Sequence, residues 1–210
     1  MRRLVPLLLF AGVLLAGCGE APAAETVTDR HGYHGTSVDP PLRVPSSRLV
    51  DDHGRAFDLA HDGDALHVVF FGYTHCPDIC QVVMGTIASA YDRLSEAEQQ
   101  RVRVMFVSTD PARDTGPRLR AYLARFDTEF TGVRGPLAEV VDLARPLGIY
   151  VRKGERLPSG GYEVDHGTHV IAVSGNRAPL LWSAEVSPAD LATDIQRLLA
   201  GQPAGQEDAA

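Results

Sequence analysis

The stretch Ala65–Gly85, ALHVVFFGYTHCPDICQVVMG, joins a continuous apolar run to a helical pattern through a short loop that carries two cysteines. The run over residues 65–73 has the length of a strand, and its lack of polar alternation predicts a strand buried on both faces. Beyond the loop, apolar side chains recur at helical spacing, namely Val83, Ile87, Tyr91 and Leu94. The stretch therefore predicts a buried strand that leads into a helix, with Cys76 and Cys80 at the junction.

The same alternation of strand and helix continues along the chain. Apolar runs predict further strands at 102–109, 148–154, 168–175 and 179–186. Helical patterns cover 115–126, 135–148 and 187–200. Residues 46–60 resemble a hairpin that turns at DDHG. This order, with its antiparallel ending, predicts an α/β three-layer domain with a central mixed sheet and an N-terminal β-hairpin.

The first residues, MRRLVPLLLFAGVLLAGC, combine two arginines, a short apolar run and small residues before Cys18. This is the pattern of a secretory signal, and the run is too short to span a bilayer comfortably. LAGC resembles the lipobox of bacterial lipoproteins, which implies a signal peptide over residues 1–17 and a lipidated Cys18. We therefore expect the protein at the cell membrane, lipid-anchored on the extracytoplasmic side. An ordinary signal peptide cut nearby is the alternative.

Composition divides the rest of the chain. Residues 18–41 are predicted to be a lipidated anchor and flexible linker, because Gly, Ala, Pro, Thr and Asp prevail there up to about Pro45 without an apolar period. Residues 42–200 form the predicted domain, and residues 201–210 a disordered tail. Loss of residues 1–17 moves the formal net charge from -7 to -9, which argues against a nucleic-acid partner. We expect a monomer.

The two remaining thiols, Cys76 and Cys80, can form a disulfide, bind a metal, or alternate between the two. Four residues apart in a helix would put them on one face, with Cβ atoms about 5–6 Å apart. An unstrained disulfide needs roughly 3.5–4.5 Å between Cβ atoms, so the spacing is more relaxed around an ion. Zinc takes four protein ligands in structural sites, whereas soft thiolates at low coordination number favour Cu(I). A third ligand would strengthen the copper hypothesis.

The histidines are the candidates for that ligand. Four lie in polar segments and are predicted to be solvated surface residues, namely His31, His34, His53 and His61. His67 lies inside a predicted strand and is expected to be packed, while His75 adjoins Cys76 and is either an exposed neighbour or an occasional ligand. His166 and His169 are three residues apart near the start of a strand, so only one of them should face the thiols.

Four segments together resemble the Sco/SenC family, thioredoxin-fold copper chaperones for cytochrome c oxidase assembly. They are FGYTHCPDIC (71–80), VSTDPARDTGPRLRAYLARF (107–126), FTGVRG (130–135) and VDH (164–166). They come in the family's order, and the resemblance covers roughly residues 42–200. It implies a thioredoxin-like fold and, with the lipobox, the bacterial lipoprotein form of the family.

Carried over residue by residue, the resemblance implies that Cys76, Cys80 and His166 bind one copper ion per chain, as Cu(I) and also as Cu(II). Asp78 either tunes the charge of the loop or is a first-turn acid favoured by the helix dipole. Asp110 and Asp114 resemble loop-shaping and capping residues without chemistry of their own. The family commonly has proline after the second cysteine, where this chain has Gln81, which implies a looser or shifted helix start.

The leading hypothesis is a membrane-tethered copper chaperone that delivers copper to the dinuclear copper A site of cytochrome c oxidase subunit II. Another extracytoplasmic copper carrier is a further candidate partner. The rival is a thiol-disulfide oxidoreductase that reduces the cysteines of that subunit, with Cys76 as nucleophile and Cys80 as resolving thiol. His166 separates the two, because metal binding needs it and dithiol exchange does not. A peroxidase and a purely structural disulfide are weaker alternatives.

Overall fold

The computed structural model describes residues 28–156 and 162–201. Within them, the strands are β1 (Thr36–Arg43), β2 (Leu49–Asp51), β3 (Ala56–Phe57), β4 (Leu66–Gly72), β5 (Val102–Ser108), β6 (Thr131–Arg134), β7 (Val151–Arg156), β8 (Tyr162–His166), β9 (Val170–Ser174) and β10 (Arg177–Trp182). The α-helices are α1 (Ile79–Tyr91), α2 (Glu96–Gln99), α3 (Gly116–Leu123), α4 (Leu137–Ala144) and α5 (Pro188–Leu199). Short 3-10 turns at Leu59–His61 and Arg145–Leu147 complete the elements.

Eight strands form one mixed sheet in the order β1, β10, β9, β4, β5, β6, β2, β3. Strands β4, β5 and β6 are parallel, and every other pair in this sheet is antiparallel. The predicted α/β fold, its mixed sheet and its early hairpin are confirmed. Strands β7 and β8 pair only with each other in a separate two-stranded sheet.

The central strand β4 supplies both halves of the core. All seven of its residues are buried, with Val68 and Phe70 in the cluster on one face and Val69 and Phe71 in the cluster on the other. Helices α1, α3 and α5 cover the first face, and α4 covers the second. The apolar run without alternation is thus a strand between two helical layers, as its sequence predicts.

The described C-terminal part of the predicted linker, residues 28–41, packs against the domain, whereas the sequence predicts that the domain begins at residue 42. Strand β1 pairs antiparallel with β10, and Tyr33 before it is buried. The buried carboxylate of Asp194 on α5 accepts hydrogen bonds from the backbone N–H groups of His34 (3.1 Å) and Gly35 (2.8 Å). As an edge strand, β1 tolerates its prolines and polar residues because only one side must form a ladder.

The five histidines that precede the cysteine loop differ in their exposure. His53 and His61 are exposed and His67 is fully buried, as expected. His31 and His34 are partly buried, contrary to the prediction that they are solvated, because they lie in the packed segment before β1. His34 faces Asp190 on α5, with Nδ1 at 3.4 Å from the carboxylate.

The predicted signal peptide, the lipidation of Cys18, the first part of the linker and the tail after residue 201 lie outside the described residues and stay predictions. Among the described residues, none of the helices has the length and apolar character needed to cross a bilayer.

Candidate metal centre

The chain passes from β4 to α1 through a turn that positions the first cysteine. The backbone N–H of Cys76 donates to the carbonyl of Tyr73 at 3.1 Å, which closes the turn. Helix α1 begins only at Ile79, since Asp78 has non-helical φ and ψ of -138° and -97°. Cys76 therefore precedes the helix, while Cys80 is its second residue. The expectation that both cysteines share one helix face is wrong, because the chain enters the helix after the first of them.

His166 comes from the other side of the centre. It ends β8 and lies opposite Val151 of β7, so it is the last residue of a strand that the sequence did not predict. Its Nδ1 lies 2.9 Å from the carbonyl oxygen of Gly167. Because a carbonyl only accepts hydrogen bonds, Nδ1 carries the proton and Nε2 presents its lone pair. The ring packs edge-on against Phe70 and Tyr73, with centroids 6.0 and 5.9 Å away.

These elements bring Cys76, Cys80 and His166 together. One ligand atom from each lies within 4.8 Å of the others, and no other group of this kind occurs among the described residues. Nε2 of His166 is 3.5 Å from Sγ of Cys80. A trigonal ion with bonds of about 2.3 Å to sulfur and 2.0 Å to nitrogen would need separations of roughly 3.7–4.0 Å. Shifts of about 1 Å or less therefore suffice, and the cluster suits one copper ion per chain.

The two cysteines differ in protonation. A hydrogen bond from the Cys80 thiol lowers the pKa of Cys76 to about 4, with help from the backbone amides of Asp78 and Cys80. The same hydrogen bond and complete burial raise the pKa of Cys80 far above its ordinary value. The two shifts have opposite directions, so they favour a thiolate at Cys76 that accepts a hydrogen bond from the Cys80 thiol. This arrangement supplies one charged soft donor before any metal binds.

Other candidates named from the sequence stay outside the cluster. His169 is exposed, so His166 is the one of the two that faces the thiols. His75 is exposed, and its Nε2 lies 2.6 Å from Nη1 of Arg118 on α3. Asp78 and Gln81 are exposed as well. The backbone N–H of Gln81 bonds to the carbonyl of Asp78 at 3.3 Å, a contact that the family's proline would lack.

Supporting residues around the cluster become visible only in the fold. The Tyr73 ring lies against His166, and the Arg113 guanidinium lies over it at 5.7 Å from the ring centroid. Arg113 also pairs with Asp110, and Asp114 is fully buried beside the turn. The DPARD motif was the only sequence signal for these contacts, and Tyr73 and Thr74 carried none beyond their place next to the cysteines.

A thioredoxin-like sheet that presents two cysteines and a histidine beside the carboxyl end of its central strand defines a class of proteins with a thiol-based metal and redox centre. Within that class the assignment is specific, because the SCO1/SenC family profile matches residues 39–200. The chain belongs to the SCO1/SenC family.

Similarity to individual proteins agrees with this assignment. A relative from Stutzerimonas stutzeri is 29% identical over 145 residues, covering 65% of this chain and 70% of its own. The mitochondrial protein SCO1 homolog 1 of Arabidopsis thaliana is 36% identical over 118 residues, covering 56% of this chain and 35% of its own. The chain thus spans only about a third of that mitochondrial relative.

Solved structures extend the comparison. Apo Sco1 from Thermus thermophilus is 29% identical with a TM-score of 0.70, covering 84% of this chain and 99% of its own. Arabidopsis thaliana ScoI with copper bound is 26% identical with a TM-score of 0.69, covering 77% and 99%. BsSco, at 19% identity and a TM-score of 0.63 over 80% and 98%, shares the fold and is described as a member of the Sco family of cytochrome c oxidase assembly proteins. One of these solved relatives thus binds copper, and another is itself a cytochrome c oxidase assembly protein.

Proposed function

We propose that this protein binds one copper ion through Sγ of Cys76, Sγ of Cys80 and Nε2 of His166. The observation that carries the proposal is the cluster itself, in which three soft or borderline donors lie within 4.8 Å of one another. Two thiolates suit Cu(I), and the added imidazole also suits Cu(II). The hydrogen bond from Nδ1 to Gly167 supports the ligand role of His166, because it fixes the tautomer that metal-binding imidazoles need.

We further propose that the bound copper is cargo, delivered to the dinuclear copper A site of cytochrome c oxidase subunit II. The burial of the ligands fits exchange, since Cys76 and His166 keep 7% and 6% of their surface exposed while Cys80 keeps none. A thiolate of a partner can therefore replace the two outer ligands in turn, while the buried one still holds the ion. Lipidation of Cys18 would tether this exchange to the extracytoplasmic face of the membrane.

Metal transfer to the soluble domain of subunit II tests the proposal. The full chain carrying Cys18→Ser is loaded with one equivalent of Cu(I) and mixed with reduced, copper-free acceptor under anaerobic conditions. We expect copper to appear on the acceptor, with its loss from the donor in equal amount. The matched control is Cys80→Ser, which removes the innermost ligand. If copper stays on the parent donor, or if Cys80→Ser delivers as well as the parent, the chaperone proposal is refuted.

A second function has its own supporting observation, two free thiols that lie close together, with the pKa of Cys76 lowered by the hydrogen bond from Cys80. In thiol-disulfide exchange, the Cys76 thiolate attacks a partner disulfide and releases one partner thiolate. Cys80 then loses its proton, attacks the Cys76 sulfur and releases the second partner thiolate. The partner gains two electrons and the Cys76–Cys80 pair becomes a disulfide.

The His166→Ala variant separates the two functions. With copper-free protein and acceptor whose cysteines are oxidised, reduction of the acceptor is followed by thiol alkylation and mass spectrometry of each protein, because the total number of free thiols does not change in the exchange. If the protein is a chaperone, His166→Ala should lose copper transfer, whether or not the variant still exchanges thiols with the acceptor. If the protein is an oxidoreductase, the parent and the variant should both reduce the acceptor at similar rates, and this reduction should not require copper transfer.

A further inference from the structure

The buried carboxylate of Asp114, beside the metal centre, accepts three hydrogen bonds. Its side chain is fully buried, and the residue belongs to the loop that connects β5 to α3. Oδ2 accepts from the hydroxyl of Ser108 at 2.7 Å and from the backbone N–H of Thr74 at 3.1 Å. Oδ1 accepts from the hydroxyl of Thr74 at 2.6 Å. Two of these three donors belong to one residue of the turn that carries Cys76.

A chain of hydrogen bonds extends from this contact through His75 to Arg118. The Thr74 hydroxyl gives its only proton to Asp114, so its oxygen acts as an acceptor for Nδ1 of His75 at 3.2 Å. Nε2 of His75 then has a lone pair, which accepts from Nη1 of Arg118 at 2.6 Å. Both ring nitrogens of His75 are thus engaged with the turn and with α3. The chain of contacts fixes the two central residues of the turn from both sides.

Among the described residues, few other backbone hydrogen bonds hold the turn, although the Tyr73 ring packs against His166. Its own closing bond is the single contact between the N–H of Cys76 and the carbonyl of Tyr73. Cys76 precedes the first residue of α1, so it lies outside the helical hydrogen-bond ladder. Pro77 follows it and has no N–H to donate. The backbone that carries Cys76 is therefore anchored chiefly through Thr74, while the sulfur itself also accepts hydrogen bonds from the Cys80 thiol and from the backbone amides of Asp78 and Cys80.

We propose that Asp114 is a positioning residue of the metal centre, which holds the Cys76 turn through Thr74 so that the sulfur stays within bonding reach of the ion. This inference rests on the proposed copper binding and adds a residue that touches neither the ion nor its ligands. Through Asp114, the DPARD motif (residues 110–114) then contributes to the geometry of the metal centre. Residues that orient metal ligands typically change metal affinity about 10–100-fold when lost.

Two single-hydroxyl deletions form a matched pair for the test. Thr74→Val and Ser108→Ala each remove one hydroxyl donor from the same carboxylate, at 2.6 and 2.7 Å respectively. Only Thr74 belongs to the metal-binding turn, whereas Ser108 ends β5. All variants are made in the full chain with Cys18→Ser, so that Cys76 and Cys80 are the only thiols. Cu(I) affinity is measured by competition with a chromophoric chelator, and Cu(II) geometry by electron paramagnetic resonance.

We expect Thr74→Val to weaken Cu(I) binding by about 10–100-fold and to change the Cu(II) hyperfine splitting, and Ser108→Ala to cost less than about tenfold with an unchanged spectrum. Thr74→Ser, which keeps the hydroxyl, should restore parent affinity. Equal affinities and spectra for Thr74→Val and the parent would overturn the inference while copper binding stands. A parent that binds no copper would instead refute the proposed function.

Asp114→Asn provides an independent arm in case Thr74→Val does not fold. The amide keeps the shape of the side chain but replaces one acceptor oxygen with a donor, so at least one contact to Thr74 or Ser108 is lost. We expect a drop in Cu(I) affinity of about tenfold or more in the folded fraction. The control Asp52→Asn alters another buried carboxylate, which accepts from the N–H of Gly132. If Asp52→Asn weakens copper binding as much as Asp114→Asn, the effect is general destabilisation and the inference fails.

Discussion

Replacement of Asp194 by alanine tests whether the N-terminal segment is part of the folded domain. The carboxylate is fully buried and accepts from the N–H of His34 at 3.1 Å, the N–H of Gly35 at 2.8 Å and Nε1 of Trp182 at 2.8 Å. It therefore joins the segment before β1, the end of β10 and the helix α5. Alanine would leave all three donors without this partner.

The expected loss in the free energy of unfolding follows from the hydrogen bonds of those three donors. A hydrogen bond to a charged group contributes about 1.5–3 kcal/mol, and a buried donor left unpaired costs about 1–3 kcal/mol. The three contacts share one carboxylate and are not additive, so we expect a loss of about 3–5 kcal/mol in the free energy of unfolding. At about 3 °C per kcal/mol, the melting temperature should fall by roughly 10 °C. Asp194→Asn keeps one acceptor oxygen and should lose about half as much.

Guanidinium unfolding provides the assay, because Trp182 is the single tryptophan of the chain and is fully buried. Its fluorescence changes when the packing around Trp182 and Asp194 is lost on unfolding. The control is Asp142→Ala, which removes an exposed helical aspartate paired with Arg145 at 2.9 Å and should cost less than about 0.5 kcal/mol. If Asp194→Ala lost no more stability than Asp142→Ala, the N-terminal segment would not contribute to the fold as described.

Two further predictions concern the thiol pair and the packing behind α3. Because the Cys80 thiol is the main cause of the lowered pKa of Cys76, Cys80→Ala should move the pH of half-maximal alkylation of Cys76 upward from about 4, as followed by mass spectrometry. An unchanged profile would mean that the thiolate has another cause. Gly116→Ala should destabilise the domain by about 2 kcal/mol or more in thermal unfolding, because a Cβ there would lie 2.4 Å from the backbone oxygen of Asp52. A variant as stable as the parent would show that α3 can move away from that backbone.

The elements that sequence patterns predicted well are those with a uniform environment. Strand β4 is buried on both faces along its whole length, and an apolar run without alternation identifies such a strand. Strand β1 was missed because it is an edge strand with two prolines and no fully buried residue. Strand β8 was missed because it pairs only with β7, so its residues need not follow the pattern of the main sheet.

The site was predictable to the extent that its residue types are rare. Two cysteines four residues apart mark the centre whatever the backbone does, but the start of α1 at Ile79 depends on the conformation of Asp78. The contacts of Asp114 with Thr74 join residues 40 positions apart, so no local pattern encodes them. The family resemblance selects His166 over His169, whereas the strand pattern alone does not, because the end of β8 is defined only by the tertiary structure.

An anaerobic Cu(I) titration of the reduced full chain carrying Cys18→Ser, beside its His166→Ala variant, tests the copper site most directly. The complete N-terminal segment is kept, because a truncation at Pro40 would cut through β1. We expect one tight equivalent of Cu(I) in the parent and binding weaker by about tenfold or more in the variant, since one of three ligands is lost. Equal affinities would contradict the three-ligand site and leave a two-thiolate site, with thiol-disulfide exchange as the better supported function.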